Sequence, residues 1–392
     1  MKICGSQFLL FILLSLFSLP QFQAEELSKN ARVSVLTCGT GNEVYALFGH
    51  TAIRITDQAT NLDIVYNYGA FDFATPNFVG KFAKGDLQYF ATSEAFSDFV
   101  LQYKYEQRAI VEQELHMTDA QKQSLFDELS RVLVSNEGTY TYKFIDKNCT
   151  NMAVDLLNNI LGSNVISKRE NLNFTYRETL FPFFEGHFFE KLGTSIIFGT
   201  KVDQQATLLF LPIELLQSLG TTKISGKPLA EKAEVILAQP NQKPPFSWWN
   251  NWVVYLGVLL AILILNKKII SLTFLTLIGF IGLFFVVAGF WSLHGELAYN
   301  YNALLLNPLL LLFVALSLNK KTELLKKLTY LLSACFALYF ILMLNKIHFW
   351  IVLPLFVTIV IIVLRMGLTK KPWILELVHT QLLIALGKKV PY

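Results

Sequence analysis

The pattern of apolar and polar positions divides this chain of 392 residues into two parts. Up to about residue 246, apolar positions alternate with polar ones at the short spacings of amphipathic strands and helices. Beyond that point, short polar connections separate five apolar runs, which cover residues 252–266, 269–292, 303–318, 328–345 and 348–364. Runs of this composition predict membrane spans. We therefore expect an α+β domain followed by an all-α bundle of about five transmembrane helices over residues 252–366.

The charged connections between the apolar runs predict the orientation of the bundle. Lysine and arginine cluster after the first, third and fifth runs, whereas the other two connections are nearly free of them. Loops rich in these residues stay in the cytoplasm. The α+β domain and the 293–302 loop therefore share the outer side, and residues 367–392 form a cytoplasmic tail. The basic residues concerned are Lys267, Lys268, Lys320, Lys321, Lys326, Lys327, Arg365, Lys370 and Lys371.

The N-terminus agrees with this orientation. Lys2 precedes an apolar stretch from Phe8 to Leu19, which is typical of an export signal or an N-terminal anchor over residues 1–24. Residues 25–239 then form one exported domain, and a linker rich in proline and tryptophan occupies residues 240–251. The prediction is a multi-pass protein of the inner (cytoplasmic) membrane with its exported domain in the periplasm.

Composition excludes several function classes. With 53% hydrophobic residues, the chain is too apolar for a soluble globule, and its net charge of +4 forms no basic surface for nucleic acid. The six histidines are scattered without metal-ligand spacing, so we expect no metal. No glycine-rich phosphate loop or G-x-S-x-G elbow is present, and no cofactor is expected.

Cys149, in the segment KNCTNMAVDLL, has the setting of a nucleophile. Asn148 is a good N-cap, and the apolar residues after Cys149 recur at helical spacing. Cys149 would thus lie in the first turn of a half-buried helix. The positive helix end stabilises a thiolate there, and free backbone N–H groups can hold an oxyanion. The alternative is a disulfide with Cys38, the other cysteine of the exported domain, because an oxidising compartment favours such bridges.

His50, in FGHTAIRI, is the candidate base. The alternation places Ile53 and Ile55 on one strand face and His50 on the other. A following strand, DIVYNYG, would return beside His50 in a hairpin and bring Asn67 within reach of the imidazole. A side-chain carbonyl on the second ring nitrogen fixes the tautomer that accepts a proton from the thiol. Asp63 and Tyr68 remain competitors for this third position.

The segments FGHTAIRI, DIVYNYGAFDF, KFAKGDLQYF and YKFIDKNCTN together resemble the exported domain of the Lnb family, and HGELAYNYNALLLNPL resembles that family's membrane segment. The resemblance implies a permuted papain-like (NlpC-type) fold. It also implies a lipoprotein N-acyltransferase that moves a fatty acyl chain from a phospholipid, through a thioester on Cys149, to the α-amine of a diacylglyceryl-cysteine. The partners would be the phospholipid acyl donor, the lipoprotein N-terminus and the lipid bilayer.

One departure concerns charge near the nucleophile. The family usually has an arginine shortly after the cysteine, whereas this chain reads Asn148-Cys149-Thr150-Asn151-Met152. Arg54 and Arg108 are therefore candidates for holding a lipid headgroup, with a solvated surface charge as the alternative for each.

Further candidates lie beside the membrane spans. Amides near apolar spans must bond each other or a ligand, so His294, Asn300 and Asn302 are predicted to bind substrate, while inter-helix bonding is favoured for Asn307. The aromatic segment FPFFEGHFFE, residues 181–190, suits either an approach to lipid or plain core packing.

Two other function classes use the same residues. A membrane-tethered cysteine amidase or peptidase acting on cell-wall peptides would have the same Cys149–His50 dyad, but a polar groove and no need of residues 247–392. A non-catalytic sensor or assembly protein would have Cys149 bridged to Cys38.

Overall fold

The computed structural model describes residues 26–135, 138–240 and 247–368. It contains an α+β region followed by a helical region, which confirms the predicted order of the two parts. The predicted export signal, half of the predicted linker and nearly all of the predicted tail lie outside the described residues.

The α+β region is built on an antiparallel sheet of seven strands in the order β6-β4-β3-β2-β1-β5-β9. Two short strands, β7 and β8, form a separate hairpin. The strands are β1 (Arg32–Cys38), β2 (His50–Asp57), β3 (Leu62–Ala70), β4 (Gln88–Ala95), β5 (Ile110–Glu114), β6 (Thr139–Thr141), β7 (Lys223–Ile224), β8 (Lys227–Pro228) and β9 (Glu234–Leu237).

Within the described ranges, seven α-helices accompany these strands, and five more form the membrane part. The former are α1 (Phe78–Lys84), α2 (Phe96–Tyr105), α3 (Asp119–Val134), α4 (Cys149–Leu161), α5 (Tyr176–Leu180), α6 (Phe188–Ile197) and α7 (Pro212–Thr221). The latter are α8 (Trp252–Leu265), α9 (Lys268–Trp291), α10 (Leu309–Leu318), α11 (Thr322–Met343) and α12 (Phe349–Leu368).

The sheet is covered on both faces, as the alternation in β2 requires. Ile53 and Ile55 belong to the larger core, which α3 and α4 close. Ala52 faces the opposite way and packs with Phe99 and Tyr103 of α2. Helix α4 therefore lies across the sheet with its first residue, Cys149, directed toward the start of β2.

Among the residues that the structure describes, the membrane part contains four candidate spans rather than the five predicted. The four are Lys268–Trp291, Gly295–Leu318, Thr322–Met343 and Phe349–Leu368. Helix α8 is apolar but has only 14 residues, about 21 Å of rise against a hydrocarbon core of about 30 Å. The five predicted apolar runs therefore correspond to five helical segments, of which the first, α8, is not long enough to be a candidate span.

The span Gly295–Leu318 is a broken helix. Two 3₁₀ turns, Gly295–Leu297 and Tyr301–Leu304, precede α10. The backbone between the second turn and α10 lies so close to α9 that a Cβ atom on Gly282 would meet the carbonyl oxygen of Leu306 at 1.6 Å. Glycine is therefore required at position 282 for the backbones to approach.

The two ends of the bundle differ in their neighbours. At one end, Lys268 Nζ donates to the carbonyl of Ser317 at 3.3 Å, and Arg365 donates to Ser271 Oγ at 3.1 Å. At the other end, the backbone N–H of Leu293 donates to the carbonyl of Lys84 in the α+β region at 2.7 Å. The clusters of lysine that follow the first and third runs thus lie at the end away from the α+β region, as the charge pattern predicts.

The two regions share a continuous apolar core around α6. Leu192 is buried among residues of the membrane helices, Phe188 packs on Tyr255 with ring centroids 5.2 Å apart, and Phe189 stacks on Trp249 at 6.0 Å. In the same aromatic segment, Phe181 and Phe184 are buried in the α+β region. The 181–190 segment is thus mainly packed within the protein, which is the second of the two expectations for it.

Candidate active site

Cys149 is the first residue of α4, and a capping box fixes this helix end. Asn148 Oδ1 accepts from the N–H groups of Thr150 and Asn151 at 2.9 and 3.2 Å, and the Asn151 side chain accepts from the N–H of Asn148. The cap therefore uses two of the amides that the sequence offered for an oxyanion. The expectation of several free amides is wrong for this reason, and the N–H of Cys149 itself is the first-turn amide that the cap leaves unused.

His50 and Asn67 meet across neighbouring strands. Asn67 opposes Ala52 in the β2–β3 register, so its side chain points along the sheet face that carries His50. His50 Nε2 lies 3.0 Å from Asn67 Oδ1, and Asn67 Nδ2 donates to Glu94 Oε1 at 3.0 Å. Because the Glu94 carboxylate only accepts, the amide orientation is fixed and Nε2 must carry the proton. The neutral ring then leaves Nδ1 as the acceptor for the thiol.

The thiol of Cys149 lies close enough to the His50 imidazole for each group to shift the pKa of the other, and both residues are half-buried. Burial by itself raises the pKa of Cys149, but His50 and the backbone N–H of Thr51 outweigh burial and hold that pKa below its usual value. For His50, burial lowers the pKa and the neighbouring Cys149 and Asn67 raise it, with a net increase. These opposite shifts favour a thiolate–imidazolium pair.

Two threonines beside the thiol join strand β2 to helix α4. Thr51 Oγ1 lies 3.0 Å from Thr150 Oγ1, and both residues are buried. Because Thr51 is on β2 and Thr150 on α4, this bond fixes the distance between the base strand and the nucleophile helix. Neither residue was singled out in the sequence, since an isolated threonine carries no pattern.

Cys38 lies beside this site but is not bonded to it. It pairs with His50 in the β1–β2 register, is buried, and is a free thiol like Cys149. Burial raises its pKa to about 12. Cys38 is therefore an un-ionised thiol next to an ionisable one, and the structure contains no Cys38–Cys149 disulfide.

The structure does not bring Arg54 to the thiol. Its guanidinium bonds Asp63 at 2.8 Å and Glu112 at 3.0 Å, and it lies 3.3 Å above the ring of Phe96. Its charge is thus neutralised on the α2 face of the sheet, four residues along β2 from His50.

Arg108 is closer to the site but buried, with 5% of its surface exposed. It donates to the carbonyl of Gly39 at 2.9 Å and pairs with Glu106 at 2.6 Å. The prediction that Arg108 is a solvated surface charge is therefore wrong, because its buried side chain bonds the loop that follows β1.

The polar residues at the membrane end bond mainly to the protein itself. His294 Nε2 lies 2.9 Å from the carbonyl of Phe82. Asn300 Nδ2 donates to the carbonyls of Ile196 and Ile197 at 2.9 Å. These side chains thus tie the broken helix to the α+β region, and this is the placement the structure gives them.

The two other asparagines of this segment are also engaged. Asn302 Nδ2 donates to Asn300 Oδ1 at 2.8 Å, and Asn302 Oδ1 accepts from Tyr339 at 2.8 Å. Asn307 Oδ1 accepts from the N–H of Leu309 at 3.0 Å, which is a bond within its own segment and not between helices. Internal hydrogen bonding thus uses the amides that the sequence offered to a substrate.

Glu296 connects the broken helix to the loop that precedes Cys149. It is 1% exposed, and its Oε1 accepts from the N–H of Ile145 at 3.2 Å. Lys201 lies 3.6 Å from Glu296 Oε1 and pairs with Asp146 of the same loop. The membrane part thus holds residues 145 and 146, a few positions before the candidate nucleophile. The sequence offers one signal for Glu296, an acidic residue inside an apolar segment.

A second buried charge network lies where the α+β region meets the membrane part. Arg177 is 2% exposed and pairs with Asp203 at 2.6 Å. Asp203 also accepts from Tyr301 at 2.6 Å and pairs with Lys346 at 3.1 Å. Burial raises the pKa of Asp203, but the paired cations and the Tyr301 hydroxyl hold it below its usual value. These partners come from distant segments, so no local pattern could have predicted them.

Comparison with known families gives one match. The model of the Lnb N-terminal periplasmic domain matches residues 19–180, which include His50, Asn67 and Cys149. No curated protein and no solved structure matches the chain. The chain thus joins a periplasmic domain to four candidate membrane spans, and it is a membrane protein. Residues 19–180 are therefore similar to the exported domain of the Lnb family.

Proposed function

We propose that this protein is a lipoprotein N-acyltransferase with a thiol nucleophile. The observation that supports this most is the chain of contacts from Cys149 to His50, Asn67 and Glu94, placed in an Lnb domain that packs directly on membrane helices. This arrangement supplies a nucleophile, a base and a lipid surface in one molecule.

In the first half-reaction, the Cys149 thiolate attacks the carbonyl carbon of a phospholipid ester. A carbon–sulfur bond forms, and the backbone N–H of Cys149 faces the developing oxyanion. The carbon–oxygen bond then breaks, and the imidazolium of His50 gives its proton to the departing lysophospholipid. The enzyme is left as an acyl thioester.

In the second half-reaction, the α-amine of a diacylglyceryl-cysteine attacks the thioester carbonyl. A carbon–nitrogen bond forms, His50 takes the proton from the amine, and the Cys149 thiolate leaves. Asn67 keeps Nε2 of His50 protonated throughout, so Nδ1 exchanges protons with the substrates. Water must be excluded while the thioester persists.

The fold proposed for the α+β region is the permuted papain-like one. Its support is that the base strand β2 precedes the nucleophile helix α4 in the chain, the reverse of the order in papain. The proposed location is the inner membrane with this region in the periplasm, supported by the lysine-rich ends that lie away from it.

The test uses purified full-length protein, phosphatidylethanolamine vesicles and a synthetic diacylglyceryl-cysteine peptide, with the peptide N-terminus read by mass spectrometry. Wild-type protein should yield the N-acylated peptide, and Cys149→Ala should yield none. Cys335→Ala is the matched control, since Cys335 lies on membrane helix α11 and should leave the product unchanged. A product formed by Cys149→Ala at the wild-type rate would refute the proposal.

A cysteine amidase would use the same dyad on a peptide. The structure gives that alternative no specific support, because Glu296 of the membrane part holds the loop before Cys149. An amidase that functions without residues 247–392 has no need of this contact.

A further inference from the structure

Helix α1 and the turn before it expose large apolar side chains. Phe73 is 71% exposed, Val79 77% and Phe82 52%. Helix α1 contains no buried residue. We call Phe73, Val79 and Phe82 the α1 apolar face. An exposed apolar patch of this kind on a soluble surface indicates contact with a partner or a membrane.

The position of α1 indicates which partner. Ser292 Oγ donates to the carbonyl of Ala83 at 2.9 Å, and the N–H of Leu293 donates to that of Lys84 at 2.7 Å. These bonds fix α1 against the end of candidate span α9. The last residues of that helix, Phe290 and Trp291, are 91% and 51% exposed, as aromatic residues at a membrane surface are.

We propose that the α1 apolar face inserts into the outer leaflet and guides a phospholipid acyl chain to Cys149. Insertion is inferred from the position of α1 alone, whereas guidance of the acyl chain rests on the proposed acyltransferase function. Lys81 on the same helix adds a positive charge that suits lipid phosphates, whereas the charge of Lys84 is paired with Asp86 at 2.8 Å.

A continuous row of aromatic rings leads from α1 toward the thiol. The Phe78 and Phe82 centroids are 6.4 Å apart, and the Phe71 ring lies 5.9 Å from Phe78 and 5.2 Å from Tyr89. Tyr89 then stacks on Tyr142 at 4.5 Å.

The row ends at the candidate site. Burial and, after it, the charge of nearby Cys149 raise the pKa of the Tyr142 phenol, and both side chains pack against the same apolar core. An acyl chain that follows these rings stays in contact with apolar surface between the bilayer and the nucleophile, and avoids the cost of crossing water.

Insertion is tested by a photoreactive benzoylphenylalanine at position 79 in the full-length protein, held in nanodiscs of phosphatidylethanolamine and phosphatidylglycerol. Irradiation should give a covalent lipid adduct, detected by intact mass. The control position is Thr60, exposed in the β2–β3 turn. This turn lies about 30 Å from the other end of the nine-residue strand β3, where the chain continues toward α1. Equal adducts at both positions, no lipid adduct at position 79, or cross-linking there only to an added lipoprotein would overturn insertion.

Guidance of the acyl chain is tested by Val79→Glu, with Val79→Leu as its control. The glutamate should slow acylation of Cys149 by nanodisc phospholipid about tenfold and leave acylation by monomeric dihexanoyl phosphatidylethanolamine unchanged, because a dispersed lipid needs no passage from the bilayer. If Val79→Glu is acylated at the same rate as wild type by nanodisc phospholipid as well as by the dispersed donor, guidance of the acyl chain is refuted. If wild-type protein is not acylated by either donor, the acyltransferase proposal fails, whereas the cross-link at position 79 still decides insertion.

Discussion

The contact between Glu296 and the loop before Cys149 predicts that a residue of the membrane part controls the reactivity of the thiol. Glu296→Ala removes the acceptor of the Ile145 N–H, which is fully buried. An orphaned buried N–H costs about 1–3 kcal/mol. Such a cost corresponds to a roughly 5- to 150-fold change in the ratio of molecules in which the loop before Cys149 is bound to the membrane part to molecules in which this loop is released.

Release of this loop should weaken the capping box at Cys149 and its contact with His50. We therefore expect Cys149 in Glu296→Ala to react with iodoacetamide at neutral pH at least about fivefold more slowly than in wild type, a factor that corresponds to 1 kcal/mol. The rate is measured on detergent-purified full-length protein without substrate, with modification quantified on the peptide that contains Cys149. This readout does not depend on acyl transfer.

Two variants separate this effect from general destabilisation. Glu296→Gln keeps an acceptor oxygen for Ile145 and should retain a rate close to that of wild type. Glu231→Ala removes a carboxylate that is 61% exposed and paired only with His116 among the contacts described, and it should change nothing. If Glu296→Ala alkylates at the wild-type rate while its melting temperature is unchanged, the loop does not depend on Glu296 and the reasoning is refuted.

Three further predictions follow from the candidate site and the junction. In His50→Ala, the burial that raises the pKa of Cys149 is no longer opposed by the imidazole, so alkylation should be lost at neutral pH and recover only well above the ordinary thiol pKa; a rate–pH profile identical to that of wild type would contradict this. Asn67→Ala removes a hydrogen bond of about 1 kcal/mol and should lower acyl-thioester formation about fivefold while leaving the amount of folded protein unchanged, as measured by intact mass and size-exclusion chromatography. Arg177→Met leaves Asp203 without its closest buried cation and should lower the free energy of unfolding by about 3–5 kcal/mol, measured as a lower melting temperature in detergent. Because the pKa of Asp203 is depressed, the stability from this network is present at neutral pH and is lost as the pH falls through that pKa. A melting temperature of the wild-type protein that does not change in acid would contradict this.

The parts of the site that follow local patterns were predictable from the sequence. The cap at Asn148, the helix after it and the strand face of His50 each arise from neighbours within a few positions. The hairpin between β2 and β3 extends this to Asn67, because a short turn limits the possible registers.

The rest of the site depends on contacts between segments far apart in the chain. Glu94 reaches Asn67 through the β3–β4 register, and Glu296 reaches Ile145 across 151 positions. Arg54 illustrates the opposite error, because its partners Asp63 and Glu112 lie on neighbouring strands whose pairing the sequence does not reveal. The guanidinium of Arg54, predicted to be available to a lipid headgroup, is therefore already paired in the fold.

The membrane part shows a similar division. Apolar runs locate the helices, but the asparagines of the broken span have partners on α6 and α11 that only the fold brings together. The amides predicted to bind a ligand were therefore used to join the two regions.

The most direct test of the proposed chemistry is the intact mass of purified full-length protein after incubation with phosphatidylethanolamine alone. The proposed mechanism predicts an added fatty acyl mass on wild-type protein that hydroxylamine removes, with the modified peptide containing Cys149, and no such adduct on Cys149→Ala or His50→Ala. An unmodified wild-type mass, or an adduct that persists in Cys149→Ala, would contradict it.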